Sequence, residues 1–255
     1  VTGGLPERRS GRFPEPSSAG EDGLLCVGGD LEPETLLEAY SMGVFPWPQE
    51  GLPLLWFSPA QRGVLRFEDA HWTRRFLRAL RQQPGRGYEI AFDRAFGDVV
   101  RACARAKRKG DGEVASASKD QPANQGEGAG QGGTWILPEI EVAYERLHRL
   151  GYAHSAECWR GGALVGGVYG VLVDGVFSGE SMFHAEADAG KRALYALIEL
   201  LAGAGIKWID IQMVTPVLEA LGGRYVARSA YAALLARSRR AGIEPFPAKP
   251  KEVPR

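Results

Sequence analysis

LVGGVYGVLVDGVFSG, residues 164–179, holds two apolar runs separated by Asp174-Gly175. Asp and Gly tolerate the positive φ values that a two-residue turn imposes, so the runs Leu164–Val173 and Val176–Gly179 predict a β-hairpin. Upstream, His154–Trp159 predicts another strand. Downstream, Leu194, Leu197, Ile198 and Leu201 recur at the spacing of one helical face, so a helix is predicted from about Ala189, ended by Gly203 and Gly205. Lys207–Met213, KWIDIQM, predicts a strand of the buried kind. Strand, hairpin, helix and strand in this order give an α+β, or mixed α/β, domain around a central mixed sheet.

Working back toward the N-terminus, residues 138–150 predict a helix that Pro138 opens and Gly151 ends. Phe96–Ala106 predicts a helix, Tyr88–Phe92 a strand, and WTRRFLRALR, residues 72–81, a helix with Trp72, Phe76 and Leu80 on one face. Earlier still comes LLCVGGDLEPETLLEAYSMGVFPW. Pro33 suits the first turn of a helix, Asp30 can cap it, and Gly43 ends it. Phe45-Pro46-Trp47 and Leu55-Trp56-Phe57-Ser58-Pro59 then predict a small, irregular unit packed by aromatic rings. Two segments are too polar to offset their ordering entropy. Residues 1–23 are expected to be a loose arm, and residues 107–133, from Lys107 to Gly133, a disordered insertion. The expected division is a small N-terminal domain, 1–66, and a larger domain, 67–255, interrupted by the insertion.

Composition narrows the function class. The chain has 255 residues, 44% of them hydrophobic, and a formal net charge of +0. A nucleic acid must therefore meet a local patch, not a global field. Such a patch exists: between His71 and Lys109 there are eleven Lys/Arg against three Asp/Glu. Arg74, Arg78 and Arg81 share a face of the 72–81 helix and could follow phosphates, or simply be a solvated face. The cysteines Cys26, Cys103 and Cys158 lack any paired or metal-ligand spacing. That argues against a disulfide framework and a structural zinc, and fits the reducing cytosol. The first residues, VTGGLPERRSGRFPEP, lack the apolar core of a signal peptide, and no apolar run approaches the roughly 20 residues of a membrane span. A cytoplasmic monomer without metal or cofactor is expected.

Three polar residues occupy positions where apolar ones would be expected. Strand alternation places Asp210 and Gln212 on one face of WIDIQM, with Ile209 and Ile211 on the other. Glu180 follows the hairpin in GESMF. A carboxylate within a sheet is costly unless paired or hydrogen-bonded. Two readings stand side by side: a buried structural Asp–Gln hydrogen bond, or a catalytic pair.

The motifs GGDLEPETLLEAYSMGVFPW, LLWFSPAQRGVL, TWI, AYERLH, GYAHSAECW, LVGGVYGV, FSGESMF and IDIQ, in that order, resemble those of leucyl/phenylalanyl-tRNA–protein transferases. The resemblance covers roughly residues 13–231, apart from the insertion. It implies a small N-terminal domain followed by a domain like the GCN5-related N-acetyltransferases. It also implies transfer of Leu, Phe or Met from aminoacyl-tRNA to an N-terminal Lys or Arg of a protein, a mark for N-end rule degradation. By resemblance Asp210 and Gln212 form the catalytic pair and Glu180 lines the site beside the attacking amine. Trp47 and Trp135 contact the terminal adenosine of tRNA, and Val168, Phe177 and Leu194 belong to the pocket for the amino-acid side chain. The chain departs from the family at His184, Val168, Val217 and the insertion. An acetyl-CoA-dependent acetyltransferase is the main rival. Its pyrophosphate loop needs a Gly-rich turn at a helix N-terminus, whereas AEADAGKRAL here has two acids and one Gly. A non-catalytic tRNA- or peptide-binding module is the other rival, and it would not need Asp210 and Gln212 together on a strand.

Overall fold

The structure is a computed structural model that describes residues 13–82, 87–106, 135–239 and 245–246. The expected insertion and residues 1–12 of the expected arm lie outside the described residues. In chain order the first half contains β1 (Leu24–Val27), α1 (Pro33–Ser41), β2 (Phe45–Pro46), β3 (Leu55–Phe57), β4 (Gln61–Arg66), α2 (Arg74–Arg81), β5 (Tyr88–Phe92) and α3 (Phe96–Arg105). The second half contains α4 (Pro138–Arg149), β6 (Ala153–Arg160), β7 (Ala163–Val173), β8 (Val176–His184), α5 (Ala189–Gly203), β9 (Trp208–Gln212), α6 (Pro216–Ala220), β10 (Arg224–Ala227) and α7 (Arg228–Ser238).

Two sheets result. A three-stranded sheet, ordered β1-β3-β2, forms the small N-terminal layer, and a seven-stranded sheet, ordered β10-β4-β9-β8-β7-β6-β5, is the centre of the molecule. The larger sheet is mixed: β8 and β9 run parallel, and the other neighbours are antiparallel. This is the mixed α/β architecture around a central mixed sheet that the sequence led us to expect. The parallel pair arises because α5 carries the chain from the end of β8 back over the sheet to the start of β9.

The hairpin forms as its turn chemistry requires, with Asp174 at φ 52° and Gly175 at φ 79°. β7 is covered on both faces, which explains its nearly continuous apolar run. Its Val165, Val168 and Leu172 pack with α5 residues such as Leu194 and Leu197, while Tyr169 and Val171 pack with α1, α3 and α4. Gly170 is required by that packing. A Cβ there would lie 2.5 Å from the Phe177 ring, closer than any side chain can approach.

Two expectations are corrected. Residues 13–23 are not loose: Phe13 is buried edge-on against Trp56 at 4.8 Å, and the Arg228 guanidinium donates to the carbonyls of Ser17, Ala19 and Gly20. An aromatic anchor and a shared cation hold a segment whose composition alone reads as polar. The end of the expected N-terminal unit, β4, is built into the large sheet between β10 and β9. Composition did not expose it, because QRGVLR has two arginines and a Gly where a strand is usually apolar. Asp30 also differs in detail: Glu32 occupies the N-cap of α1, and Asp30 instead accepts from the Glu32 N–H and the Thr35 hydroxyl.

Candidate active site

Adjacent strands β8 and β9 are in register at only two rungs, Phe177 with Ile209 and Ser178 with Asp210. Beyond these rungs the sheet is interrupted on both sides by bulges. In β8, Gly179 and Ser181 face Gly170 and Tyr169 of β7, so Glu180 is the extra residue. In β9, Asp210 and Gln212 face Val64 and Gly63 of β4, so Ile211 is the extra residue, and Gln212 adopts φ 48°. A bulge releases a residue from the ladder and re-aims its side chain. Simple alternation, from which the face of Gln212 was expected, therefore fails at this point.

Across the gap the side chain of Gln212, the rung that follows the bulged Ile211, reaches the released Glu180: Nε2 donates to Oε1 at 3.0 Å. Two tyrosines close the other side. Tyr40 of α1 donates to Glu180 Oε1 at 2.8 Å, Tyr144 of α4 donates to Oε2 at 3.2 Å, and the two phenol oxygens touch each other. Burial pushes the Glu180 carboxyl up to about 7, with the nearby Asp210 charge adding to the effect and the phenol hydrogen bonds and Arg62 opposing it. Burial, together with the Glu180 charge, raises both phenols well above the ordinary tyrosine range. Glu180 is thus the group here poised to exchange a proton near neutrality.

Asp210 lies behind this pair and is fully buried. Its carboxylate receives a two-pronged contact from Arg62 of β4, at 2.8 Å from Nε and 2.6 Å from Nη2. Ser178, Tyr231 of α7 and the backbone N–H of Gln212 also donate to it, at 3.2, 3.0 and 3.0 Å. Asp210 therefore fixes Gln212 through the main chain, and its charge is matched by Arg62. Burial opposes the guanidinium charge, yet Asp210, Tyr231 and Glu180 together hold it above its ordinary value. The guanidinium lies between two rings, 4.4 Å from the Phe45 centroid and 4.9 Å from that of Tyr231.

From Phe45 a series of rings runs to the half-buried Trp47 at 6.3 Å and from Trp47 to the buried Trp135 at 5.5 Å. The two tryptophans are brought together, stacked on each other at 19°. A base would thus have to stack on an outer face of the pair. Val168, Phe177 and Leu194 are brought together as well, all buried in the cluster between the sheet and α5. Arg74, Arg78 and Arg81 are exposed on α2, and among the described residues none is paired with a carboxylate. His148 and His154 are core residues stacked on Phe96 and Phe246, and His184 is exposed.

Sequence reasoning missed Arg62, Tyr40, Tyr144, Ser178 and Tyr231. Tyr40 and Tyr144 lie on the buried faces of their helices, and nothing local distinguishes a phenol that faces a carboxylate from one that faces a Leu. Among the described residues no group of His, Cys, Asp or Glu could hold a metal ion. Burial pushes the Cys158 thiol up to about 11, away from thiolate chemistry.

A carboxyl raised to about 7 and an amide thus meet in the gap of a splayed parallel pair at the centre of the mixed sheet. Comparison with known proteins specifies the class. A family profile described as "Leucyl/phenylalanyl-tRNA protein transferase" matches residues 121–236, and the profile of that family's N-terminal domain matches residues 29–60. A protein of Nitratidesulfovibrio vulgaris (strain DP4) named "Leucyl/phenylalanyl-tRNA–protein transferase" is 44% identical over 223 residues, 88% of this chain and 86% of the relative. One of the same name from Anaeromyxobacter sp. (strain Fw109-5) is 46% identical over 226 residues, 89% of this chain and 86% of the relative. The chain belongs to the leucyl/phenylalanyl-tRNA–protein transferase family, and it is an aminoacyltransferase. A solved structure titled "The structure of L-PGS from Bacillus licheniformis" aligns with a TM-score of 0.36 and 13% identity, over 73% of this chain and 52% of that one. Among the described residues no helix is long and apolar enough to cross a membrane.

Proposed function

We propose that this chain moves Leu, Phe or Met from aminoacyl-tRNA to the α-amine of proteins that begin with Lys or Arg, marking them for N-end rule degradation in the cytosol. The observation that carries the mechanism is the Glu180–Gln212 bridge at the gap between β8 and β9, with Glu180 raised to about 7. An aminoacyl ester is already activated, so the enzyme has to orient the amine, take its proton and stabilise the oxyanion. The α-amino group of a peptide titrates at about 7.7–8.0, within reach of a carboxylate held near 7. Glu180 accepts the proton, and Gln212 orients the amine. An amide is a poor base, which argues against Gln212 as the proton acceptor.

The other residues act around this centre. Asp210 holds the backbone of Gln212 in its left-handed conformation and, as a buried carboxylate matched by Arg62, is not free to be the base. Trp47 and Trp135 offer a stacking face to the terminal adenosine, a contact of about 1–3 kcal/mol per base. Val168, Phe177 and Leu194 receive the donor side chain, and Arg74, Arg78 and Arg81 follow the acceptor-stem phosphates. The negative charge of ionised Glu180 favours an acceptor whose first side chain is a cation. Incubation with leucyl-tRNA and peptides that begin with Arg, Ala or Glu tests the proposal. Transfer to the Arg peptide, lost in Glu180→Gln, is expected; equal transfer to all three peptides would refute the stated specificity.

A further inference from the structure

Glu180 and the two tyrosines present a problem of proton number. Three contacts join them: Tyr40 to Glu180 Oε1, Tyr144 to Glu180 Oε2, and Tyr40 to Tyr144. Each hydrogen bond requires one proton, and a phenol has one to give. When Glu180 is ionised, both phenols are drawn toward the carboxylate, and their oxygens then face one another with no proton between them. When Glu180 is protonated, the count is complete. Its Oε1–H donates to Tyr40, Tyr40 to Tyr144, and Tyr144 to Oε2, head to tail around a closed ring. The cluster is thus built for a carboxyl group that carries a proton for part of its working cycle.

We propose that Tyr40, Tyr144 and Glu180 act as one ring that takes up the proton lost by the attacking amine and holds it until the ribose 3′-oxygen departs. The proposal rests on the transfer reaction argued above. The amine nitrogen bonds to the ester carbonyl carbon and gives one proton to Glu180. The bond from that carbon to the 3′-oxygen then breaks, and the oxygen takes the proton back from Glu180. Proton and bond counts balance, and the ring ends as it began. Arrival of the proton supplies the third hydrogen bond of the ring, so uptake involves the whole cluster and not Glu180 alone.

The surroundings isolate this event. The groups facing Glu180 are Tyr40 from α1, Tyr144 from α4, Gln212 and Asp210 from β9, and Arg62 from β4. Arg62 and Asp210 compensate each other as a buried pair. Both phenols are held well above their ordinary range, so they pass protons without becoming phenolates. The bulge at Glu180 supplies the freedom that a ladder residue would lack.

Tyr40→Phe, Tyr144→Phe and Glu180→Gln of the full chain separate the possibilities. Single-turnover transfer of Leu from leucyl-tRNA to a peptide with N-terminal Arg is measured against pH, and in mixtures of light and heavy water. Each Tyr→Phe change keeps the ring packing and removes one link. Transfer is expected to slow at least 10-fold, at or below the low end of the roughly 10²–10⁴-fold typical of acid–base contributions. The midpoint of the rising limb should move upward, because a donor that favoured the ionised carboxylate is gone. The amine titrates identically in all the proteins, so a change in midpoint belongs to the site. Rates in mixed water should fall along a curve for the wild type, with several protons in motion, and along a line for the variants. Wild-type rates and midpoints in both Tyr→Phe variants, or slow rates with an unmoved midpoint, would overturn the ring. An active Glu180→Gln would instead overturn the transfer mechanism beneath it.

Discussion

Replacing Arg62 by Met keeps an unbranched stem that reaches as far as Nε and removes the rest of the guanidinium with its charge. In the folded protein the Arg62 and Asp210 side chains are 2% and 0% exposed and meet at 2.6 Å, so the variant leaves a buried carboxylate without its counter-ion. Breaking such a pair from one side costs about 3–5 kcal/mol. Ser178, Tyr231 and the Gln212 N–H still donate to Asp210, which places the expected loss nearer the lower figure. Met stops short of the position of the guanidinium carbon between the Phe45 and Tyr231 rings, so a small void accompanies the electrostatic loss. At about 2–4 °C per kcal/mol for a chain of this size, melting should fall by roughly 6–12 °C. The decisive comparison adds Asp210→Asn. Asp210→Asn alone leaves Arg62 unpaired and is also destabilised, but in Arg62→Met with Asp210→Asn both buried charges are gone. Urea unfolding of the four proteins should therefore give a double variant more stable than either single one, yet slow in transfer because Gln212 is no longer pinned in place. A loss under about 1 kcal/mol for Arg62→Met, or losses that simply add in the double variant, would refute the account of Arg62 as the compensating charge.

Three further outcomes follow from the same geometry. Glu180 has its folded value raised from 4.5 to about 7, so its contribution is fully present below 4.5 and is lost as pH rises through 7. Glu180→Gln should therefore be no more stable than wild type in acid but more stable above neutrality, while losing transfer; urea unfolding at two pH values checks this, and a stability difference that ignores pH would contradict it. Arg74→Ala with Arg78→Ala should weaken tRNA binding and flatten its salt dependence, each lost phosphate contact lowering the log–log slope by somewhat less than one unit; an unchanged slope in a binding titration would return these arginines to a solvated face. Trp47→Ala should weaken binding of an aminoacyl-adenosine fragment by about 1–3 kcal/mol while sparing the basic helix, measured by fragment competition; equal loss for an uncharged acceptor-stem duplex lacking the terminal adenosine would argue against base stacking.

Much of the architecture was legible because its signals are local. Asp174-Gly175 fixes the hairpin, Pro33 and Pro138 fix the first turns of α1 and α4, and the spacing from Leu194 to Leu201 fixes α5. Among the elements that escaped, β4, β10 and α7 share a different origin. β4 and β10 are short, carry arginines, and are strands because of what flanks them: β9 on one side of β4 and β10 on the other. α7 has its charges distributed around the axis, and only Tyr231 and Leu235 are buried. Such segments acquire their structure from tertiary partners, which no window of residues can report.

The candidate site divides along the same line, and the division explains its design. Glu180, Asp210 and Gln212 could be picked out because each is a polar residue inside an apolar strand pattern. Arg62, Tyr40, Tyr144 and Tyr231 could not, because arginine beside a strand and tyrosine on a helix face are unremarkable until α1, β4, α4 and α7 converge. Yet the alternation rule that exposed Asp210 and Gln212 also misjudged how they pair. It treats β9 as a regular ladder, whereas the strand is bulged at Ile211, as β8 is at Glu180. A regular ladder would hold Glu180 on a rung and set Gln212 opposite Arg62 instead of Gly63, on strands that are still hydrogen-bonded. Two bulges on neighbouring parallel strands instead part the strands and turn one side chain from each into the gap. Local rules hold wherever residues serve only the fold, and they break at the two places where the chain gives up ladder hydrogen bonds to aim a carboxyl and an amide at the same point.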